Sequence, residues 1–383
     1  MLGDVSDFPM MNLLLRFSFS RLLFPYQYGN RGVAITYYPS QFIQQIQTSL
    51  TNLPPKPLFL AIHLCLAHWP FYFGKDGANE NDYADLNYRS SVKAVDSQFN
   101  EVLNELQKAG ILSSSIIVLI SDHGVALGLP NDRSIALEKY RGDKKEIKKI
   151  ERFKLSHASK DSVDLVHDYV INTSFGQGND VLSLKQYHVV LAFKDSHHHI
   201  KSMQDNALIT LMDVAPTVLN YLQLPAMARV DGYPYRLDQL NAISRNVFIE
   251  TGDKISAIET PTILKDEVVK ESIHQYDFDP VTGSITLTKN AVHSIIKNKQ
   301  HAIIGQTWML AWYPTSYHSY FKPKNHSSHE MIMDVKTMPP YYVLLNLKTG
   351  QWTMDLSSSF AKDMPFQMKK ELDKFCAEEG LYS

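Results

Sequence analysis

The sequence predicts an α/β fold followed by a smaller C-terminal region of antiparallel strands and one helix. Three observations carry that expectation. Two short apolar runs, Leu58–Leu66 and Ile116–Ile120, bracket a longer segment with helical periodicity. A strand, a helix and a strand of these lengths make a crossover unit in a parallel sheet. After about residue 250 the texture shifts to short β-branched and aromatic runs broken by turn residues. The chain of 383 residues can bury a large core, and its organisation reads as an α/β domain over 1–250 and an appended β-plus-helix region over 251–383.

Along the chain, Pro54, Pro55 and Pro57 form a stop before Leu58–Leu66. That run is too short for a capped helix and reads as a strand buried on both faces, with His63 and Cys65 packed within it. From Tyr88 to Ala109, Val92, Val95, Phe99, Val102, Leu103 and Leu106 recur at three and four, predicting an amphipathic helix that Gly110 closes. Ile116–Ile120 is expected as a second buried strand, parallel to the first and ending in Ser121-Asp122-His123-Gly124. A third strand is expected over Tyr187–Phe193, and a helix over Ala207–Leu222 with Pro216 near its first turn and Asp213 as N-cap. In the C-terminal region Ser284–Thr288, His301–Gly305 and Thr307–Trp312 read as strands. Tyr341–Leu347 and Gln351–Asp355 read as a hairpin, and Pro365–Glu378 as a closing helix with the stripe Phe366, Leu372 and Phe375.

Composition excludes several classes. Lys plus Arg number 38 against 40 Asp plus Glu, a net charge of −2, so no global basic field argues for nucleic acid. Two cysteines, Cys65 and Cys376, cannot make a disulfide framework or a thiolate metal site. No apolar run approaches the length of a membrane span, and Met10–Leu23, interrupted by Arg16 and Arg21, reads as neither span nor signal peptide. Arg133–Lys160 holds ten basic residues against four acids, which reads as a solvated insertion ahead of a platform for an anionic polymer. His197-His198-His199 reads as a solvated turn before it reads as a metal site. Asn172-Thr173-Ser174 and Asn325-His326-Ser327 are glycosylation sequons, a triplet common by chance.

The chemistry-bearing residues stand where the two expected strands end, the place where open α/β sheets bind ligands. The first run leads to Ala67-His68-Trp69-Pro70, the second to Asp122-His123-Gly124. An adjacent carboxylate and imidazole on a tight turn can meet one metal ion, the carboxylate suiting hard cations and the imidazole borderline ones. Taken alone, Asp-His-Gly fits a turn with a capping Asp equally well. His68 alone reads as a packed loop residue.

The order of the pieces resembles the sulfatase family of the alkaline-phosphatase superfamily. The similarity lies in Phe59–His63 followed by Ala67-His68-Trp69-Pro70, and in the helix bearing Val95-Asp96 ahead of Val118–Gly124. It continues in Asp213-Val-Ala-Pro216-Thr217 through Pro225, with Asp231-Gly232 after it, and in the final hairpin. The resemblance runs from about residue 55 to the end. It implies an alkaline-phosphatase-like three-layer α/β/α sheet and metal-assisted hydrolysis of sulfate or phosphate esters of a small molecule or a glycan. By the same resemblance Asp122 and His123 would be metal ligands, and His68 would contact the ester or protonate its leaving oxygen. The implied cofactor is a divalent ion, calcium first, with magnesium, manganese or zinc as alternatives. Family members are mostly exported or membrane-associated, whereas the compartment of this chain is left open.

Two departures accompany the resemblance. The family's nucleophile motif, Cys-x-Pro-x-Arg or its Ser or Thr counterpart, is missing, as is any Asp-Asp pair, so an N-terminally truncated catalytic domain is expected. Gly176-Gln177-Gly178 stands where many sulfatases carry Gly-Lys-Gly, and Gln177 lacks the charge of that lysine. The alternatives are a phosphoethanolamine- or phosphoglycerol-type transferase or phosphatase of the superfamily, for which Asp122-His123 argues, and a non-catalytic remnant. A turnover in spite of the missing motif would need a nucleophile such as Ser90, Ser91, Thr173 or Ser174.

Overall fold

The computed structural model describes residues 39–51, 53–54, 56–68, 71, 83–143, 171–195, 207–235, 245–252, 269–270, 272–281, 283–314, 316–323, 331–358, 360 and 363–378. Trp69, Pro70, His197–His199, Asn325–Ser327 and residues 144–160 of the basic stretch 133–160 lie outside them. By their contacts the residues fall into two units, 1–118 with 193–201, and 119–192 with 202–383.

The first unit is built on two helices, α1 (Pro39–Leu50) and α2 (Tyr83–Lys108). Phe42 and Ile43 of α1 meet Val102 and Leu106 of α2, all buried, which confirms the C-terminal part of the expected stripe. Nearer its start α2 departs from expectation: Val92 is exposed, and the buried positions are Asn87, Ser91 and Gln98. Gly110 is left-handed and Ile111 N–H reaches back to Leu106 O, the expected cap.

The expected strand over Leu58–Leu66 does not form. Residues 57–65 form no regular element and join no ladder among the described residues, and Phe59 is 93% exposed. A strand exists through its neighbours' hydrogen bonds, and none of the described segments supplies them. Part of the segment packs instead on the helices: Ile62 and Leu64 join the α1–α2 cluster, while His63 is exposed, against expectation. Cys65 is buried, as expected.

β1 (Ile116–Ile120) forms where a strand was expected but is not buried, its residues half-buried and Ile120 49% exposed; β2 (Ala126–Leu127) and β3 (Phe175–Gly176) follow and pair antiparallel. A four-residue helix, α3 (Leu184–Tyr187), takes the start of the expected third strand, which is displaced to β4 (Leu191–Asp195). β4 pairs with β1, and Ser121 N–H donates to Val190 O. The end of β1 therefore meets the start of β4. The pair runs antiparallel, in place of the parallel arrangement the periodicity suggested. A helical turn over Leu211–Asp213 leads into α4 (Val214–Tyr221), with Pro216 in its first turn. The Asp213 carboxylate does not cap α4: it accepts from Thr210 N–H, Thr210 O–H and Tyr233 N–H and is paired with Arg245.

The rest of the second unit is β5 (Val247–Glu250), β6 (Tyr276–Phe278), β7 (Ile285–Leu287), α5 (Lys289–Asn298), β8 (His301–Ile304) and β9 (Trp308–Tyr313), then β10 (Ser316–Pro323), β11 (Met331–Met338), β12 (Tyr341–Asn346), β13 (Trp352–Thr353) and α6 (Met364–Glu378). Five of these strands make an antiparallel sheet in the order β13-β12-β9-β8-β5. Successive residues alternate between its faces. Ile303, Leu310 and Leu344 face α6, whose buried stripe is Met368, Leu372 and Cys376. Ala302, Met309, Ala311, Val343, Leu345 and Trp352 face Ile135, Ile171, Val181 and Leu182. Both faces are covered, so β8, β9 and β12 read as unbroken apolar runs instead of alternating ones. Phe366, expected in the helix stripe, is 58% exposed, because the stripe follows a spacing of four that ends on Cys376. The eight-residue ladder β10–β11 was not foreseen.

Candidate functional site

Asp122 and His123 follow β1 on a turn held at both flanks. Ser121 N–H donates to Val190 O at 3.1 Å, and Val190 N–H returns to Ser121 Oγ at 2.9 Å. On the other side Gly124 N–H donates to Gln186 O at 2.9 Å. A Cβ on Gly124 would lie 2.0 Å from Lys185 O, so only glycine lets the turn sit this closely on α3. The turn is thus moulded on the segment 185–190.

Within it the two side chains converge. Asp122 Oδ1 accepts from His123 N–H at 2.9 Å, while Asp122 Oδ2 lies 3.5 Å from His123 Nε2. His123 Nδ1 is 2.9 Å from Gly124 O. A carbonyl can only accept, so the contact with Gly124 O suits a proton on Nδ1, and Nε2 is the ring nitrogen turned toward the Asp122 carboxylate. A ligating histidine has this arrangement, one ring nitrogen tied to a carbonyl and the other turned to the site. Both side chains reach solvent, 63% exposed for Asp122 and 36% for His123. One carboxylate and one such imidazole fit a divalent cation as two of its ligands. Among the described residues no group of three or more His, Cys, Asp or Glu could hold a metal ion.

His68 ends the tight turn Leu66–His68 in the first unit, where its N–H donates to Cys65 O and its side chain is exposed. Asp122 and His123 belong to the second unit, and each group stands by itself. Of the serines and threonines that could serve as a nucleophile, Ser91, Thr173 and Ser174 are buried, and Ser174 Oγ accepts from Gln186. Ser90 is half-buried.

Sequence reasoning missed the scaffold behind the turn. Asp132, 1% exposed, accepts from Leu127 N–H and Leu129 N–H at 2.8 Å and from Lys185 Nζ at 2.7 Å. Behind it Asp180 accepts from Arg133 Nε at 2.7 Å, Tyr313 O–H at 2.8 Å and Leu182 N–H at 3.1 Å. Burial alone would raise the Asp180 pKa. The Arg133 charge and these hydrogen bonds outweigh it and hold the carboxyl below its ordinary value. A signal existed for Asp180, an acid inside the run Asn179–Leu184, but its partners lie 47 and 133 residues away in sequence. Gln177, next to that run, is exposed between its two glycines.

Among curated proteins none matches the chain. Among solved structures it is similar to the Bacteroides fragilis protein yidJ, itself assigned as a sulfatase, at 10% identity with a TM-score of 0.45. The similarity covers 89% of this chain and 58% of that one, so the chain spans less than two thirds of the relative's length. No helix among the described residues is long and apolar enough to cross a membrane. The model of the sulfatase family matches residues 19–224, just over half of the sequence, and takes in His68, Asp122, His123 and the Asp213–Thr217 motif: the chain belongs to the sulfatase family.

Proposed function

We propose that this chain carries the metal-holding edge of a sulfatase-type site in a three-layer α/β/α domain, and that its reaction class is hydrolysis of sulfate esters of a small molecule or a glycan. The observation that carries the reading is the paired turn, with His123 Nε2 turned to Asp122 Oδ2 and Nδ1 tied to Gly124 O. Asp122 and His123 would hold the divalent ion, calcium first and magnesium, manganese or zinc as alternatives. Such an ion, when bound, polarises a non-bridging ester oxygen. For His68 the role is the one the family resemblance implies, contact with the ester or protonation of its departing oxygen.

The 383-residue chain should turn over poorly. It contains neither the family's nucleophile motif nor an Asp-Asp pair, and removing a nucleophile from a cooperating set costs orders of magnitude. The test is hydrolysis of nitrophenyl sulfate and nitrophenyl phosphate with each of the four ions, beside a manganese titration of wild type and Asp122→Ala. Manganese uptake lost in Asp122→Ala, with slow turnover confined to the sulfate, is the expected result. Phosphate turnover above sulfate would favour the transferase or phosphatase alternative, which the Asp-His pair and the uncharged Gln177 also accommodate. Robust multiple turnover abolished by Asp122→Ala would overturn the half-site reading and direct attention to Ser90. Failure of wild type to take up manganese would leave the remnant reading.

A further inference from the structure

We infer that Gln186 is the positioning residue that sets the Asp122-His123 turn and the glycine loop Gly176–Asp180 in one fixed relation. Its side-chain amide is 1% exposed and uses both ends. Gln186 Oε1 accepts from Asn179 N–H at 2.9 Å and Asp180 N–H at 3.3 Å. Gln186 Nε2 donates to Ser174 Oγ at 3.0 Å and Asn179 Oδ1 at 2.8 Å. Four bonds from one amide thereby grip the loop at residues 174, 179 and 180.

The same residue's main chain holds the turn. Gln186 O accepts from Gly124 N–H, and Gly124 has no room for a Cβ against Lys185 O. The opposite flank of the turn is bonded to Val190, four residues on. α3 is only one turn long and cannot hold its own place, since a helix this short does not stand without tertiary contacts. Its seat comes from the Gln186 amide, from Lys185 Nζ on Asp132, from Ser183 Oγ on Asp132 O and Tyr187 O–H on Val181 O, and from Leu184 and Tyr187 against the core. Releasing the amide removes the one side chain of α3 that bonds the loop at 174, 179 and 180, and so loosens the template on which His123 is moulded. The β2–β3 ladder, Ala126 opposite Gly176, carries the two segments side by side from there.

Gln300 supplies the control. Its Oε1 accepts from Val181 N–H at 3.1 Å and its Nε2 donates to Asn179 O at 3.1 Å, so it staples the same loop without bonding the turn. Loss of either glutamine should loosen the loop, and only loss of Gln186 should disturb the turn.

The inference rests on the proposed metal-holding role of Asp122 and His123 for one readout and is independent of it for the other. In the full chain, Gln186→Met removes all four bonds, Gln186→Glu keeps the acceptor oxygen and loses the donors, and Gln300→Met is the comparison. Manganese affinity, read by titration of the free-ion paramagnetic resonance, should fall about ten- to a hundred-fold in Gln186→Met, as for other supporting partners of metal ligands. It should fall less in Gln186→Glu and stay at the wild-type value in Gln300→Met. Amide hydrogen exchange should rise over both 121–128 and 174–181 in the Gln186 variants, and over 174–181 alone in Gln300→Met. Unchanged protection of 121–128 in both Gln186 variants, or an equal loss of manganese affinity in Gln300→Met, would overturn the inference. Where Gln186→Met does not fold, Gln186→Glu decides. Where wild type takes up no manganese, the metal reading falls and the exchange pattern alone decides the positioning role.

Discussion

The run Tyr341–Leu345 and the run Leu58–Leu64 are near equals in composition, and the protein treats them in opposite ways. Val343, Leu344 and Leu345 are at most 1% exposed, paired on both sides by β9 and β13 and covered on both faces. Leu58, Phe59 and Leu60 are 39%, 93% and 45% exposed, and no ladder joins them. Apolar composition states what a segment would gain by burial; the partners determine whether burial occurs. β12 has a neighbour within reach, since a short connection joins β13 to it, and its other partner β9 precedes it in the same unit. Segment 57–65 has helices on one side and no described strand on the other.

The largest expected effect that separates these regions comes from the ion pair behind the site. Asp180→Ala leaves Arg133, 5% exposed, without its carboxylate, and breaking a buried pair in this way costs about 3–5 kcal/mol. The Asp180 pKa lies below its ordinary value, so the folded state binds that proton later than the unfolded chain does. Its stabilisation is present above the unfolded carboxylate pKa and is lost as pH falls through the folded one. Urea unfolding of wild type should therefore weaken steeply on acidification below about pH 4, the ordinary carboxylate value, and that part of the slope should be missing in Asp180→Ala. Equal slopes would show that Asp180 does not carry the acid sensitivity.

Matched truncations test the comparison itself. Leu344→Ala removes a fully buried side chain between α6 and the sheet, a cost of about 2–5 kcal/mol. Phe59→Ala removes a larger side chain that is nearly all in solvent, and surface changes of that kind stay within about 0.5 kcal/mol. Urea midpoints at constant slope measure both. A cost for Phe59→Ala comparable to that of Leu344→Ala would mean that the 57–65 segment is covered in solution, and the contrast drawn above would fail.

What could be read beforehand follows from the same contrast. Local signals were reliable: the C-terminal half of α2, its Gly110 cap, β1, β8, β9, β12 and α6 all follow from periodicity and turn residues within one window. Errors came where partners decide. A strand was expected at 58–66 because its residues are apolar, and β1–β4 was expected within a parallel sheet because a crossover helix usually means that. Phe366 reads as part of the α6 stripe by its apolar character, whereas the helix buries Met368, Leu372 and Cys376 at a spacing of four. At the site, Asp122 and His123 were legible as an adjacent pair on a turn. The supports were not, because Gln186, Gln300, Asp132 and Asp180 are ordinary polar residues whose partners are set by tertiary approach.

His301 gives the smallest effect and the finest test of how completely the C-terminal sheet is sealed. Its side chain is 0% exposed, and the rings of Trp312 and Phe375 lie 5.6 and 6.4 Å away. The carboxylate facing it across the β5–β8 pair is Glu250, 3.7 Å from Nε2, which is itself bonded to Lys299 Nζ at 2.8 Å. Burial lowers the His301 pKa, and Glu250 offsets this only in part. The unfolded chain then takes up the proton first as pH falls from about 6.5, the ordinary imidazole value, and in that window folding stability rises with pH. One proton limits the slope to about 1.4 kcal/mol per pH unit. In urea unfolding between pH 7 and 5, His301→Phe should flatten this part of the profile, and Glu250→Gln should extend the loss to lower pH by removing the group that favours the charged ring. A profile identical in wild type and His301→Phe would show that water reaches the imidazole, and that the β5–β8 edge is open where β9 and β12 are closed.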